Sequence, residues 1–160
     1  MPKIEQVEPD VAVAPQLVEA DFAVIAARGY CSVVAIRPDG EAPDQLPSAS
    51  AATAAKRHGL TFNYLPVSSV AVTEADVIER FARLMDELPA PILFYCGTGT
   101  RCMTLWAQAA APRLGIEPAL AVARNAGVDL EVLRDTLAER VGWRRAPAPQ
   151  EAVLQDSRCG

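Results

Sequence analysis

Histidine and closely spaced cysteines, the usual protein ligands of zinc, are scarce in this sequence. It has one histidine, His58, and four cysteines with no CxxC spacing among its 160 residues: Cys31, Cys96, Cys102 and Cys159. We therefore expect neither a zinc site nor a framework of disulfides. This composition leaves one or two of the thiols for nucleophilic or redox chemistry.

Long apolar stretches and an excess of basic residues are also missing. Acidic residues interrupt the apolar positions of the first thirty residues, and no later apolar run approaches the ~20 residues of a membrane span. A net charge of −5 does not suit a surface that binds nucleic acid or anionic lipid. We therefore expect a cytoplasmic protein without a signal peptide, and neither nucleic acid nor a membrane as its partner.

The hydrophobic fraction of 51% is enough for one domain with a substantial core. Strand-like segments alternate with amphipathic ones, which predicts an α/β fold of three layers with helices on both faces of a mainly parallel sheet. The predicted strands cover residues 10–14, 31–36, 60–67 and 91–95, and the predicted helices start near residues 15, 48, 74, 102, 118 and 129. We assign residues 1–141 to a single catalytic domain and residues 142–160 to a loosely ordered C-terminal tail.

Residues 94–102 connect a predicted strand to a predicted helix. One thiol, four small residues and one guanidinium follow the strand in this order: Cys96, Gly97, Thr98, Gly99, Thr100 and Arg101. The glycines allow the backbone to curl, so that its N–H groups point inward at the N-terminus of the helix. The pattern predicts an anion-binding loop with a thiol at its base.

Such a loop should lower the pKa of Cys96. The inward amides, the helix dipole and the guanidinium of Arg101 all favour a thiolate over a thiol with an ordinary pKa of about 8.5. The alternative is an inert buried cysteine beside a surface arginine. The spacing and the strand-to-helix context favour catalytic roles for Cys96 and Arg101, with the four residues between them binding the anion.

The loop at residues 37–47 follows another predicted parallel strand and should reach the same edge of the sheet. Its Arg37 and Asp39 are candidates for the wall of a substrate crevice, although Arg37 and Glu41 suit a solvated ion pair equally well. Asp39 and Asp44 are the candidates for a general acid.

Three motifs in order carry a resemblance to a known family: Ala-Ile-Arg-Pro-Asp-Gly-Glu at residues 35–41, the segment 59–67 that ends in Leu-Pro-Val, and the loop at residues 94–101. Over residues 7–141 the chain resembles the bacterial beta-lactamase-hydrolase-like phosphatase domains. Members of that family are also fused to persulfide dioxygenases or sulfide:quinone oxidoreductases and named sulfurtransferases. The resemblance implies a cysteine-phosphatase-like fold, a catalytic Cys96, and such a dioxygenase or oxidoreductase as partner.

The loop length bears on the choice of reaction. Cysteine phosphatases have a Cys-x5-Arg loop, whereas Cys96 and Arg101 form Cys-x4-Arg, which resembles rhodanese-type sulfurtransferases. A shorter ring offers fewer amides to a phosphate and suits the terminal sulfur of a persulfide. Tyr95 also stands where phosphatases commonly have a histidine.

We therefore expect a sulfurtransferase that needs neither metal nor cofactor. Its Cys96 thiolate takes sulfane sulfur from thiosulfate or a low-molecular-weight persulfide and passes it to an acceptor thiol. The alternatives are a cysteine-dependent phosphohydrolase and a non-catalytic anion-binding or regulatory module. Cys102 fits the role of a small apolar filler better than that of a supporting thiol.

Overall fold

The computed structural model describes residues 2–143, and its centre is a five-stranded sheet. The strands are β1 (Glu5–Glu8), β2 (Val11–Ala14), β3 (Ser32–Ala35), β4 (Thr61–Tyr64) and β5 (Ile92–Tyr95). Their order is β1-β2-β5-β3-β4, and every neighbouring pair is parallel except the antiparallel pair β1 and β2. The predicted mainly parallel sheet is confirmed. The predicted tail, apart from its first two residues, and Cys159 lie outside the described residues.

Helices cover both faces of this sheet. They are α1 (Asp21–Ala27), α2 (Ser48–Arg57), α3 (Ala75–Glu87), α4 (Thr100–Leu114), α5 (Ile116–Asn125) and α6 (Arg134–Val141), with a 3₁₀ turn at Glu131–Leu133. Helices α1 and α2 pack on one face, and α3 to α6 pack on the other. The predicted three-layer α/β architecture is therefore confirmed.

Strand β5 is the central strand and is buried on both faces, as its uninterrupted apolar sequence requires. Leu93 and Tyr95 point to the α1 and α2 side, whereas Ile92 and Phe94 point to the other side. The ring of Phe94 stacks on Phe81 of α3 with 4.2 Å between the ring centroids. This packing fixes the strand from which the loop with Cys96 departs.

The register of the parallel strands brings three connections to one edge of the sheet. Ala14 of β2 and Ala35 of β3 are both paired with Tyr95, the last residue of β5. Beyond these pairs, Cys96 N donates to Ala14 O at 3.2 Å, and Ile36 N donates to Tyr95 O at 2.9 Å. The loops that follow β2, β3 and β5 therefore meet around Cys96.

Several local predictions were wrong. Strand β1 was not predicted, because three of its four residues are polar and it is a partly exposed edge strand. Helix α1 begins at Asp21 rather than at residue 15, and the Asp21 carboxylate accepts the backbone N–H of Val18 at 2.8 Å in the preceding turn. Helix α3 begins after Glu74, close to the predicted start, and has no side-chain cap.

The cysteines of the described residues are of two kinds. Cys31 is buried and disulfide-bonded, and the sequence did not predict this disulfide. Cys96 and Cys102 are free thiols. None of the helices within residues 2–143 combines the length and the hydrophobicity needed to cross a membrane.

Candidate active site

Cys96 lies directly after β5, at the base of the loop that leads into α4. The residue is 1% exposed, and its Sγ accepts a hydrogen bond from the backbone N–H of Gly99 at 3.1 Å. The predicted curl of the backbone is therefore present, since an amide three residues further on points back at the sulfur.

Gly99 makes this curl possible. It precedes the first residue of α4 and has a φ of +91°, a left-handed conformation that a residue with a Cβ adopts only with strain. Gly97 has no such φ, but the space where its Cβ would stand lies 3.5 Å from Arg37 Nε. The two glycines therefore differ: the backbone requires Gly99, whereas a Cβ at residue 97 would make only an ordinary contact with the guanidinium of Arg37.

The surroundings of Cys96 lower its pKa from 9.0 to about 6. The largest contribution is a hydrogen bond from the Cys102 side chain, and the backbone amides of Cys102, Gly99 and Arg101 add to it, while burial opposes them. Amide and thiol hydrogens stabilise the charged sulfur more than the neutral one. Cys96 is thus a thiolate at neutral pH, in the direction predicted from the sequence.

The thiol of Cys102, in contrast to that of Cys96, is protonated at neutral pH. It is fully buried in the first turn of α4, and burial, followed by its hydrogen bond with Cys96, raises the pKa of its thiol well above 9.0. It remains protonated and can donate its hydrogen to the Cys96 sulfur. Cys102 is thus a small buried residue, as expected, and it also favours the Cys96 thiolate, a supporting role to which its place directly after Arg101 pointed.

Arg101 faces the cavity from the first turn of α4, but its guanidinium is bound to the protein rather than to the thiolate. Nη1 and Nη2 donate to the two carboxylate oxygens of Glu41 at 3.2 and 3.1 Å, and Nη1 also donates to Val67 O at 2.9 Å. The charge of Arg101 is not among the causes that lower the Cys96 pKa. The backbone amides and Cys102 therefore stabilise the thiolate, and the predicted contribution of the Arg101 guanidinium is absent.

Arg37 stands on the other side of the same carboxylate. Its Nε donates to Glu41 Oε1 at 3.0 Å, and its Nη1 donates to Gln16 Oε1 at 3.2 Å. Hydrogen bonds from Arg101 and Arg37 lower the pKa of Glu41 below its usual range. The bond from Arg101 has the largest effect, and burial opposes it with a smaller one. Arg37 therefore lines the crevice and also forms the ion pair with Glu41 that was the alternative, and Glu41 joins it to Arg101.

Asp39 is not part of this crevice. Its carboxylate accepts the backbone N–H of Ser48 at 2.8 Å and the Ser48 hydroxyl at 2.6 Å, so it satisfies the first turn of α2. Asp44 lines a different cavity, beside Leu46 and Val18. The prediction that Asp39 lines the crevice is corrected, and neither aspartate stands at Cys96 as a general acid.

An open cavity of about 420 Å³ surrounds the exposed side of the loop. Its walls combine the Cys96 loop with residues from the loops after β3 and β4 and from α4: Arg37, Glu41, Ser69, Val72, Cys96, Gly97, Thr98, Thr100, Arg101 and Thr104. The predicted loop residues therefore lie in one pocket, except Gly99, which faces the backbone of Ala14 and Pro15. The cavity is large enough for a small anion together with part of the group that carries it.

Comparison with known proteins shows the family of the chain that forms this pocket. The model of the beta-lactamase hydrolase-like protein, phosphatase-like domain, matches residues 3–112, a range that contains all the residues lining the cavity. This chain belongs to that family. It is 37% identical over 105 residues to a beta-lactamase hydrolase-like protein of Xylella fastidiosa, a match that covers 66% of this chain and 24% of the relative. This phosphatase-like domain therefore spans about a quarter of that relative's length.

Solved structures show the same fold. A candidate phosphatase of Neisseria meningitidis has a TM-score of 0.77 and 31% identity, over 86% of this chain and 97% of that chain. A kinase-associated phosphatase whose catalytic-site cysteine is replaced by serine has a TM-score of 0.61 and 12% identity, over 81% of this chain and 84% of that chain. The phosphatase-like domain thus has a cysteine-phosphatase-like fold, as predicted. The names of the matched family and of the Neisseria relative favour the phosphatase alternative over sulfur transfer.

Proposed function

We propose that this phosphatase-like domain is a sulfurtransferase in which Cys96 carries the sulfur. The observation that carries the proposal is the lack of a usable general acid among the described residues that line the cavity. Glu41 is the one carboxyl group among them, and its two arginine partners keep it ionised near neutral pH. A reaction whose leaving group needs no proton suits such a site better than one whose leaving group does.

The two reactions differ in this requirement. Transfer of a phosphoryl group from an ester to Cys96 expels an alkoxide or phenolate, and a positioned acid normally protonates it. Transfer of sulfane sulfur expels sulfite or a thiolate, both of which leave as stable anions. Glu41 is ion-paired, Asp39 is bound to the first turn of α2, and Asp44 lines another cavity, so these carboxylates do not serve the first reaction. The second reaction does not need them.

The proposed reaction has two steps. In the first, the Cys96 thiolate attacks the outer sulfur of thiosulfate or of a low-molecular-weight persulfide; the donor's S–S bond breaks, and sulfite or the donor thiolate leaves with the electron pair. In the second, the thiolate of an acceptor attacks the terminal sulfur of the Cys96 persulfide and restores the Cys96 thiolate. Protonated Cys102 and the loop amides stabilise that thiolate before the first step and after the second.

A phosphohydrolase is the second candidate, and the family and the structural neighbours favour it. In that case Cys96 would form a thiophosphate ester that water then hydrolyses. A non-catalytic anion-binding module is a weaker candidate, because a binding site gains nothing from a cysteine with a pKa of about 6.

Intact-mass analysis separates these candidates. After treatment with thiosulfate or glutathione persulfide, the wild type should gain about 32 Da per transferred sulfur, and excess dithiothreitol should remove it. Cys96→Ser should gain nothing, and peptide mapping should place the sulfur on Cys96. Rapid turnover of p-nitrophenyl phosphate without any sulfur adduct would establish the phosphatase instead. If the protein shows neither activity, the non-catalytic binding module is the remaining candidate.

The acceptor and partner belong to the same proposal. The family's relatives are about four times longer than their matched segment, so further domains accompany it in those proteins. We propose that this domain exchanges sulfur with a small thiol and with an enzyme that makes or consumes persulfides, such as a persulfide dioxygenase or a sulfide:quinone oxidoreductase.

A further inference from the structure

Glu41 lies between the two cationic side chains of the Cys96 cavity. Its Oε1 accepts Arg37 Nε at 3.0 Å and Arg101 Nη2 at 3.1 Å, and its Oε2 accepts Arg101 Nη1 at 3.2 Å. The side chains of Arg37, Glu41 and Arg101 are only 19%, 28% and 14% exposed. One partly shielded carboxylate therefore offsets half of the positive charge in the cavity.

The charges around the reacting sulfur then cancel. Two guanidiniums, one carboxylate and the Cys96 thiolate sum to zero, whereas without Glu41 the same groups would carry one net positive charge. The Coulomb energy between Glu41 and a substrate grows in proportion to the substrate's charge. A group with two negative charges, such as thiosulfate or a phosphate monoester, is therefore repelled about twice as strongly as a group with one.

We propose that Glu41 is the specificity-determining residue of this cavity, and that it selects organic persulfides over dianionic donors. The inference rests on the sulfur transfer proposed above and names its donor class. The reacting end of a persulfide carries at most one negative charge. In its protonated form, RS–SH reacts with Cys96–S⁻ to give RS⁻ and Cys96–S–SH; the donor's S–S bond breaks as the new one forms, and the proton stays on the transferred sulfur.

The surrounding contacts allow Glu41 to be tested without dismantling the site. Arg101 keeps its hydrogen bond to Val67 O, and Arg37 keeps its hydrogen bond to Gln16 Oε1 when the carboxylate is neutralised. Glutamine also retains an oxygen that can accept from either arginine. Glu41→Gln therefore removes the charge while each guanidinium keeps a backbone or side-chain anchor.

The first measurement is the second-order rate of Cys96 persulfide formation from glutathione persulfide and from thiosulfate. The wild type should prefer the persulfide by at least about tenfold, and Glu41→Gln should raise the thiosulfate rate by about tenfold with a much smaller change for the persulfide. Glu41→Asp keeps the charge and should keep the preference. Glu79→Gln is the matched control, because Glu79 pairs with Arg83 on α3 and does not line the cavity.

The second measurement does not depend on sulfur transfer. Sulfate, a dianion, should protect Cys96 from iodoacetamide, and Glu41→Gln should lower the sulfate concentration for half-protection by about tenfold, whereas Glu79→Gln should not. An unchanged sulfate affinity in Glu41→Gln would overturn the role of Glu41 even if sulfur transfer is observed. If Glu41→Gln binds sulfate more tightly but sulfur is transferred from neither donor, the charge selection by Glu41 is upheld and the proposed function is overturned. If Glu41→Gln transfers sulfur with the same donor ratio as the wild type, the persulfide preference is rejected.

Discussion

A hydrogen bond from the side chain of Cys102 is the largest cause of the lowered pKa of Cys96, whereas the pKa of Cys102 is raised by burial first and by this bond second. The bond lowers the pKa of the acceptor and raises that of the donor. Because Cys102 is fully buried in the first turn of α4, water cannot replace it as the donor. The reactive state of Cys96 therefore depends on a residue that itself never meets the substrate.

Replacement of Cys102 tests this dependence. Cys102→Ala removes the largest contribution to the lowered pKa of Cys96, so we expect the midpoint of Cys96 alkylation to move up by about one pH unit or more. Cys102→Ser keeps a hydrogen-bond donor of similar size and should stay closer to the wild type. The measurement is the pH dependence of iodoacetamide labelling at Cys96, followed by mass spectrometry. Equal midpoints in the alanine and serine variants would contradict the proposed contact.

The pH dependence of the wild type follows from the sign of the shift. Labelling of Cys96 should increase as the pH rises through about 6 and then level off, because only the thiolate reacts. The pKa of Cys96 is lower in the folded state than in the unfolded state, so the folded protein loses the thiol proton at a lower pH. The free energy of unfolding should therefore gain a contribution between about pH 6 and pH 9 that is lost as the pH falls through 6.

Urea unfolding at several pH values measures that contribution, with Cys96→Ser as the reference for all other titrating groups. The difference in unfolding free energy between the two proteins should grow in favour of the wild type from about pH 6 to pH 9. A difference that stays constant over this range would mean that the Cys96 pKa is not lowered by folding.

Arg101→Lys should separate substrate binding from thiol acidity. Lysine cannot reproduce the forked contact with Glu41 and the bond to Val67 O, so kcat/KM for sulfur transfer should fall by about 10- to 100-fold. The midpoint of Cys96 labelling should remain near pH 6, because the contribution of residue 101 to that pKa comes from its backbone amide. A labelling midpoint displaced as far as in Cys102→Ala would show that the guanidinium does act on the sulfur.

The two glycines of the loop should respond differently to alanine. Gly99→Ala forces a side chain into a left-handed conformation and should lower the unfolding free energy by about 1–2 kcal/mol. Gly97→Ala has no such strain, and its methyl group would make an ordinary contact with Arg37 at 3.5 Å, so its stability should stay near that of the wild type. Thermal unfolding of both variants is the test, and similar losses of stability would refute the distinction.

The features that were predicted from the sequence depend on contacts between nearby residues. The alternation of apolar strands and amphipathic helices identified the fold class, and the run from Cys96 to Arg101 identified the anion-binding loop. In that loop the amide and the sulfur that it contacts are only three residues apart. Strand, turn and helix geometry alone brings such neighbours together.

The features that were missed depend on how distant segments pack. Glu41 and Arg101 are 60 residues apart, so no local pattern shows that the carboxylate occupies the arginine's fork. Asp39 was assigned to the crevice because it follows the correct strand, but its carboxylate meets the start of α2 instead. The contact of Cys102 with Cys96 depends on how the first turn of α4 is rotated about the helix axis. The sequence spacing does not determine this rotation accurately enough to predict a hydrogen bond.

The loop is fastened to chain segments far from it in the sequence. Cys96 N bonds to Ala14 O, Gly97 O accepts from Gln16 N, and Arg101 bonds to Val67 O. A partly synthesised or misassembled chain lacks these anchors, and its Cys96 has the low reactivity of any protein thiol at neutral pH. Fast labelling of Cys96 near neutral pH is consequently a measure of completed folding.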